Sequence, residues 1–223
     1  DLEERRERDP VVGRPRLRAE HHDVVGLGEP AFQPYPPGAP GYVAELDSLY
    51  TYDPDGARAL LEQANATDLS FEIVTLNIPA YVQIAEVIQA QLAEVGITTT
   101  IVETTNVSQT FYIDGTGDST VIQWTGRPDP AITAQQLFSD SGFSNPGRHT
   151  TEAFTEAFNA ALAATDPSAR SAANEAMTRA IVEDALDVPL YFPYANLAFS
   201  DQVVGFQNWV TGKLEFRGVG MKP

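Results

Sequence analysis

The segment from Leu69 to Glu103 constrains the fold more than any other. LSFEIVTL (Leu69–Leu76) alternates Leu69, Phe71 and Ile73 with polar residues before turning fully apolar, which is a strand pattern. Pro79–Val95 follows, with Ile84, Val87, Ile88, Gln91, Leu92 and Val95 on one helical face, and Gly96 stands where a helix stops. ITTTIVE (Ile97–Glu103) is rich in β-branched residues and reads as a second strand. Two strands joined by a helix cannot form a hairpin, so the crossover makes them parallel. The expectation is an α/β chain built on an open mixed sheet with helices on both faces.

Other segments fit around this unit. Tyr52-Asp53-Pro54 opens a helix, with Asp53 as cap and Pro54 at its first position, and Ala57, Leu60, Leu61 and Ala64 recur at helical spacing. Ser119–Trp124 supplies another strand. Thr151–Ala164 is a helix carrying Phe154, Phe158, Ala161 and Leu162. Asp166-Pro167 repeats the cap-then-proline start, and Ala173, Ala176, Met177, Ala180 and Ile181 form the buried face of the helix that follows. VPLYFPY (Val188–Tyr194) is expected to return to the sheet, and Val203-Val204-Gly205-Phe206 is a candidate edge.

The ends read differently. Residues 1–29 are rich in charge and poor in aromatics, without amphipathic period, and are expected to be poorly ordered. Residues 30–50 begin with PAFQPYPPGAP, whose five prolines exclude a helix interior or central strand. An extended surface strap is expected there, with a proline-rich ligand as the other reading. Residues 51–210 form the α/β lobe, and 211–223 a tail.

Composition narrows the function. The net charge of −17 repels phosphate backbones and anionic membranes, so nucleic acid is not an expected partner. There is no cysteine, hence no disulfide, thiol catalysis or zinc–thiolate site. No apolar run approaches the ~18 residues of a membrane helix. No signal-peptide pattern is present, so a secreted parent is expected in mature or truncated form.

Enzyme motifs are incomplete. Gly26-Leu27-Gly28 lacks a third glycine and a preceding strand. Gly142-Phe143-Ser144-Asn145-Pro146 lacks the last glycine of a nucleophile elbow. His21-His22-Asp23 reads as a metal site or, more simply, a solvated cluster, and His149 is the one other histidine. Asp114 and Asp118 flank Gly115-Thr116-Gly117 as a turn, short of the oxygens a calcium loop needs. Asn65-Ala66-Thr67 and Asn106-Val107-Ser108 match a glycosylation pattern too short to decide anything. No catalytic pair, cofactor or metal is expected.

QWTGRPDP (Gln123–Pro130) passes this filter. In open α/β sheets, ligands bind in the crevice at the carboxyl ends of strands. Thr125 and Gly126 stand there, Gly126 permits close backbone approach, and Trp124 offers a flat wall with one N–H donor. Pro128 and Pro130 stiffen the turn and hold Arg127 and Asp129. The candidate ligand-binding residues are therefore Trp124, Thr125, Gly126, Arg127 and Asp129. The competing reading is a plain surface turn with a core tryptophan.

Four passages in order carry a family likeness. YDPDGARALLEQA (Tyr52–Ala64) resembles a Y-D-P-x-x-A-x-x-L-L-x-x-A helix, and IAEVIQAQLAEVGI (Ile84–Ile97) an I-x-x-x-L-x-x-I-G-I element. WTGRPDP (Trp124–Pro130) is similar to a W-x-x-x-x-D-P turn. NPGRHTTEAFTEAFNAALAATDPSAR (Asn145–Arg170) with VPLYF (Val188–Phe192) resembles a terminal helix pair and final strand. Together, over residues 24–210, they resemble the C-terminal lobe of solute-binding proteins of peptide-type ABC importers, the dipeptide- and oligopeptide-binding family.

The resemblance implies one lobe of a two-lobed, periplasmic-binding-protein type II-like fold. It implies an extracytoplasmic, non-enzymatic protein, periplasmic or a cell-surface lipoprotein in the parent. Its implied partners are a peptide or similar small polar solute and membrane ABC permease subunits. The N-terminal lobe of such proteins has no counterpart here, and residues 1–23 do not match the arginine- and alanine-rich helix expected before Gly26. A truncated product or a gene with a disturbed 5′ end is the expectation, with weak binding by this chain alone. The alternative is a non-binding remnant acting as a structural or interaction domain. Many peptide binders of the family place an aspartate soon after the tryptophan, for the peptide's amino terminus. Arg127 occupies that neighbourhood and favours a carboxylate instead.

Overall fold

Residues 28–194, 198–206 and 216–222 are described by the computed structural model. The expected disorder of residues 1–27, the His21-His22-Asp23 cluster and Gly26-Leu27 lie outside the described residues, as does 211–215.

β1 (Gly28–Pro30) leads into the proline-rich segment, which is extended but not superficial. Ala31, Gln33 and Tyr35 are buried at period two, and Val43 and Leu46 follow them into the interior. The expectation of a surface strap is thus corrected. Proline has no N–H to satisfy, which lowers the cost of burying an extended chain outside a sheet. Gln33 provides the hydrogen bonds that a partner strand would otherwise give, and a short 3-10 helix, Ala44–Ser48, closes the segment.

α1 (Pro54–Gln63) starts as expected, with Asp53 accepting from Gly56 N at 2.8 Å and Pro54 at its first position. The parallel unit is also as expected. β2 (Ser70–Leu76), α2 (Pro79–Glu94) and β3 (Thr98–Thr104) run in the register Ile73↔Ile101 and Val74↔Val102. β4 (Ser119–Val121) adds in parallel to the other edge of β2, giving the order β3-β2-β4. Ile73, Val74 and Thr75 of the central strand are all buried. Val74 meets Val107 and Phe111, the latter from a π-helix at Ser108–Ile113, while α2 packs on β2 and β3. Gly117 lies at φ +78, where any Cβ would sit 2.5 Å from Val74 Cγ2, so only glycine lets this loop approach.

Three helices build the main core. α3 (Pro130–Phe138), α4 (Glu152–Ala163) and α5 (Pro167–Glu183) enclose Phe138, Phe154, Phe158, Ala161, Met177 and Ile181. Phe154 stacks on Phe158 at 5.6 Å and meets Phe138 edge-on at 6.0 Å. α3 was not expected, although Asp129-Pro130 repeats the Asp-Pro start seen at residues 53 and 166. Two corrections apply to the faces: Leu162 is 52% exposed, and Ala176 is exposed rather than buried. Asn174, Thr178 and Val182 are buried instead, because the strap covers a second stripe of α5 through Val43 and Leu46.

The remaining strands stand apart from the parallel sheet. β5 (Tyr191–Pro193) pairs antiparallel with β1 and does not rejoin β2–β4 as expected. β6 (Val203–Val204) pairs antiparallel with β7 (Gly220–Met221). Parallel and antiparallel pairing thus coexist in an α/β chain, divided among small sheets.

Candidate functional site

The candidate site lies at the end of β4. The strand was expected to reach Trp124, but pairing stops at Thr75↔Val121, because β2 ends at Leu76 and its chain turns away into α2. Ile122–Asp129 is therefore released at the carboxyl end of all three parallel strands. Asn77, just past β2, donates its N–H to Thr104 O at 2.9 Å, so the ends of β2 and β3 stay together beside it.

The five sequence-predicted residues separate into three kinds. Trp124 is half-buried, and its Nε1–H is enclosed without a hydrogen-bond partner. Thr125 and Gly126 are exposed, and the space where a Gly126 Cβ would stand is open. Arg127 is exposed; its backbone N–H donates to Thr133 Oγ1 at 2.9 Å, which fixes its main chain against α3. Its guanidinium has neither hydrogen bond nor ion pair among the described residues. Asp129 is committed within the chain: one oxygen accepts from Ala131 N at 3.0 Å, the other from Arg170 at 3.2 Å. This geometry is that of a helix cap, with both carboxylate oxygens engaged.

Support from behind was missed in the sequence. Tyr35 donates its hydroxyl to Pro130 O at 3.0 Å, and Thr133 is 3% exposed. Asp187 Oδ1 is enclosed and unpartnered, and burial pushes this carboxyl up to about 7. Burial, then the charges of Asp187 and Asp129, raise the Tyr35 phenol above the usual tyrosine range. No local pattern signals these residues, since the Tyr35–Pro130 bond spans 95 positions.

The weaker candidates resolve simply. Asp114 accepts from Gln109 Nε2 at 2.6 Å and Asp118 from Glu72 N at 2.9 Å, so both serve the turn between them. A Cβ at Gly142 would meet the carbonyls of Gln135 and Gln136 at 2.6 Å, so that glycine serves packing. Among the described residues, no group of three or more His, Asp or Glu is placed to hold a metal. A shallow depression between Gln89, Ala93 and Gly96–Thr99 opens at the amino end of β3, opposite the turn.

Residues 20–146 match the model of the bacterial extracellular solute-binding proteins, family 5, middle region. The chain belongs to that family. Family 5 comprises solute-binding proteins and not enzymes. The chain is similar to di/tripeptide-binding protein 4 of Pseudomonas aeruginosa (strain UCBPP-PA14), 29% identical over 180 residues, which is 75% of this chain and 33% of the relative. It is similar in structure to the periplasmic binding protein DppA of Helicobacter pylori, solved with the peptide STSA. There the TM-score is 0.71 at 25% identity, over 89% of this chain and 40% of that one. A likeness of fold alone reaches NikA of Staphylococcus aureus, solved with Ni(L-His)2, with TM-score 0.73 at 16% identity over 88% and 43% of the two chains. The family 5 chain thus spans about a third of the length of the curated relative. Its fold is of the periplasmic-binding-protein type II-like kind. The family is extracytoplasmic, and among the described residues no helix is long and apolar enough to cross a membrane.

Proposed function

We propose that this chain supplies one wall of the solute cleft in an extracytoplasmic protein that hands a peptide, or a similar small polar solute, to a membrane ABC permease. The peptide class rests on the di/tripeptide-binding relative and the peptide-bound DppA. The observation that carries the site is the Trp124–Arg127 turn. It projects from the carboxyl ends of three parallel strands with one enclosed donor lacking an acceptor and one guanidinium lacking a partner. Buried donors are normally bonded, so Trp124 Nε1–H is an unmet requirement that a solute carbonyl or carboxylate satisfies. Arg127 presents a planar fork suited to a carboxylate. Thr125 and Gly126 leave room for the solute backbone, and Asp129 acts by fixing the turn.

One wall leaves a solute wet on its other side, so polar contacts compete with water and little apolar area is covered. Binding by this chain alone is expected on the order of millimolar. The test follows the Trp124 indole N–H resonance during titration with dipeptides and tripeptides, free or amidated at the carboxyl end. A shift with free peptides that weakens on amidation supports the reading. An indole resonance indifferent to all of them at tens of millimolar would remove it.

A further inference from the structure

Asp129 is held by an arginine 41 positions away in the chain and not by the arginine next but one to it. Arg170 Nη1 donates to Asp129 Oδ2 at 3.2 Å, while its Nε and Nη2 donate to Ala164 O at 3.1 and 2.8 Å. The guanidinium is thus fixed on the carbonyl that ends α4, so little side-chain freedom remains to be lost in meeting the carboxylate. Arg170 stands near the amino end of α5, where a cation opposes the helix dipole, so its own helix does not account for it. What it joins are the end of α4 and the cap of α3, and α3 begins where the turn ends.

Arg127 is the nearer candidate for the same carboxylate. Cα atoms two positions apart are separated by at most about 7 Å, a gap that an arginine side chain bridges. Yet the Arg127 guanidinium makes no bond to Asp129. Oδ1 is taken by the N–H of Ala131 and Oδ2 by Arg170. A second guanidinium at this carboxylate would stand beside the first and be repelled by it.

We propose that Arg170 is a specificity-determining positioning residue: by occupying Asp129 it withholds that carboxylate from Arg127, and so keeps the Arg127 guanidinium open for the anionic end of a solute. This rests on the reading of the turn as a cleft wall. Without Arg170, Asp129 Oδ2 is free and charged. Arg127 then folds back onto it, and the turn presents a neutralised pair in place of a cation. A solute with a free carboxylate loses most by this, because its charge-assisted fork to Arg127 is lost. A solute amidated at that end has no such charge to lose. An exposed ion pair adds little to stability, so the effect falls on selectivity and not on folding.

The experiment has two arms, both on the whole chain. In the first, without solute, the Arg127 Nε–H resonance is compared in wild type, Arg170→Ala and the double variant Arg170→Ala/Asp129→Asn. It is expected to exchange rapidly with water in wild type, to shift and exchange more slowly in Arg170→Ala, and to return in the double variant, where asparagine still caps α3. In the second arm, trialanine and its carboxyl amide are titrated against the Trp124 indole N–H. Wild type should prefer the acid, Arg170→Ala should lose that preference, and the double variant should regain it. A merely structural loss, from freeing Ala164 O, would weaken acid and amide alike and would not be rescued by Asp129→Asn. An Arg127 resonance unaltered by Arg170→Ala, one altered equally in the double variant, or an acid preference that persists in Arg170→Ala would each overturn the proposal. A wild-type indole indifferent to both peptides would remove the cleft-wall reading and the selectivity with it, a failure that the solute-free arm tells apart. Should Arg170→Ala fail to fold, Arg170→Gln, which keeps an N–H donor for Ala164 O but not the charge, takes its place in both arms.

Discussion

The side-chain amide of Gln33 holds both backbone groups of Val43: Oε1 accepts from Val43 N at 2.9 Å, and Nε2 donates to Val43 O at 2.9 Å. Nε2 also reaches Asp47 Oδ1 at 2.6 Å. Gln33 is 1% exposed and Val43 4% exposed, so water does not replace these bonds. Gln33→Ala would strand a buried N–H and C=O, each worth 1–3 kcal/mol. A loss of about 3 kcal/mol is expected, read as a fall in the urea midpoint at constant slope. A loss below half a kcal/mol would mean that the strap is not part of the cooperative core.

That strap shows where the sequence stops being informative. Its prolines exclude helix and central strand, and both exclusions hold. They do not distinguish an extended segment lying on the surface from one lying within, because burial depends on α5, over a hundred residues away. The β2–α2–β3 unit was legible because its periodicity is local and its crossover has one topology. α3 was not, since Pro128 and Pro130 together read as turn, and its nine residues are too few to show a period. The end of the third parallel strand was legible, to within a few residues, from an apolar run stopping at Thr125-Gly126. The bonding of the residues in the turn was not. Arg127 and Asp129 look alike as an exposed charged pair until Arg170 and Ala131 are seen to occupy the aspartate.

Arg148 gives a second prediction. Its Nη1 donates to Asp140 O at 3.1 Å and Gly142 O at 3.0 Å, holding the loop between α3 and α4. It also sits at φ +54, where a side chain is strained and glycine is not. Arg148→Ala loses the bonds and keeps the strain, so a fall of about 1–2 kcal/mol is expected. Arg148→Gly loses the same bonds but removes the strain, and should be the milder change in thermal melts. Equal effects would show that the backbone there relaxes at no cost.

Asp187 predicts how stability depends on pH. Its folded-state value of about 7 stands above the roughly 3.9 of an unfolded aspartate, so the fold prefers the protonated form. Between those values the folded chain binds more protons than the unfolded one. Its contribution is therefore fully present below about pH 4, falls as pH rises toward 7, and stays lost above. Asp187→Asn keeps the shape without the charge. Wild type and variant should melt together near pH 4, and the variant should melt a few degrees higher at pH 8. A variant less stable than wild type at pH 8 would mean that the ionised carboxylate has a partner in the fold.

Arg127 decides whether the turn binds anything. The affinity test belongs in a two-lobed protein carrying this lobe, where closure dries the cleft and a charged hydrogen bond counts for roughly 1.5–3 kcal/mol. Arg127→Ala should then weaken solute binding about tenfold or more, since about 1.4 kcal/mol is one decade. Stability should barely change, because the guanidinium is exposed and its backbone N–H, which holds Thr133, survives the substitution. Arg148 cannot serve as the control, because its loss loosens a loop. Arg58 is better placed: it contacts Asp55 and Glu94 O beside the end of α2, at the amino end of β3 and away from the turn. Arg58→Ala should leave affinity unaltered. Thr133→Val adds a second lever, since it removes the acceptor for Arg127 N without touching the guanidinium. A loss of affinity in both Arg127→Ala and Thr133→Val, with Arg58→Ala silent, marks a positioned arginine that reads the solute's anionic group. Unchanged affinity in Arg127→Ala would leave a proline-stiffened turn with no part in binding.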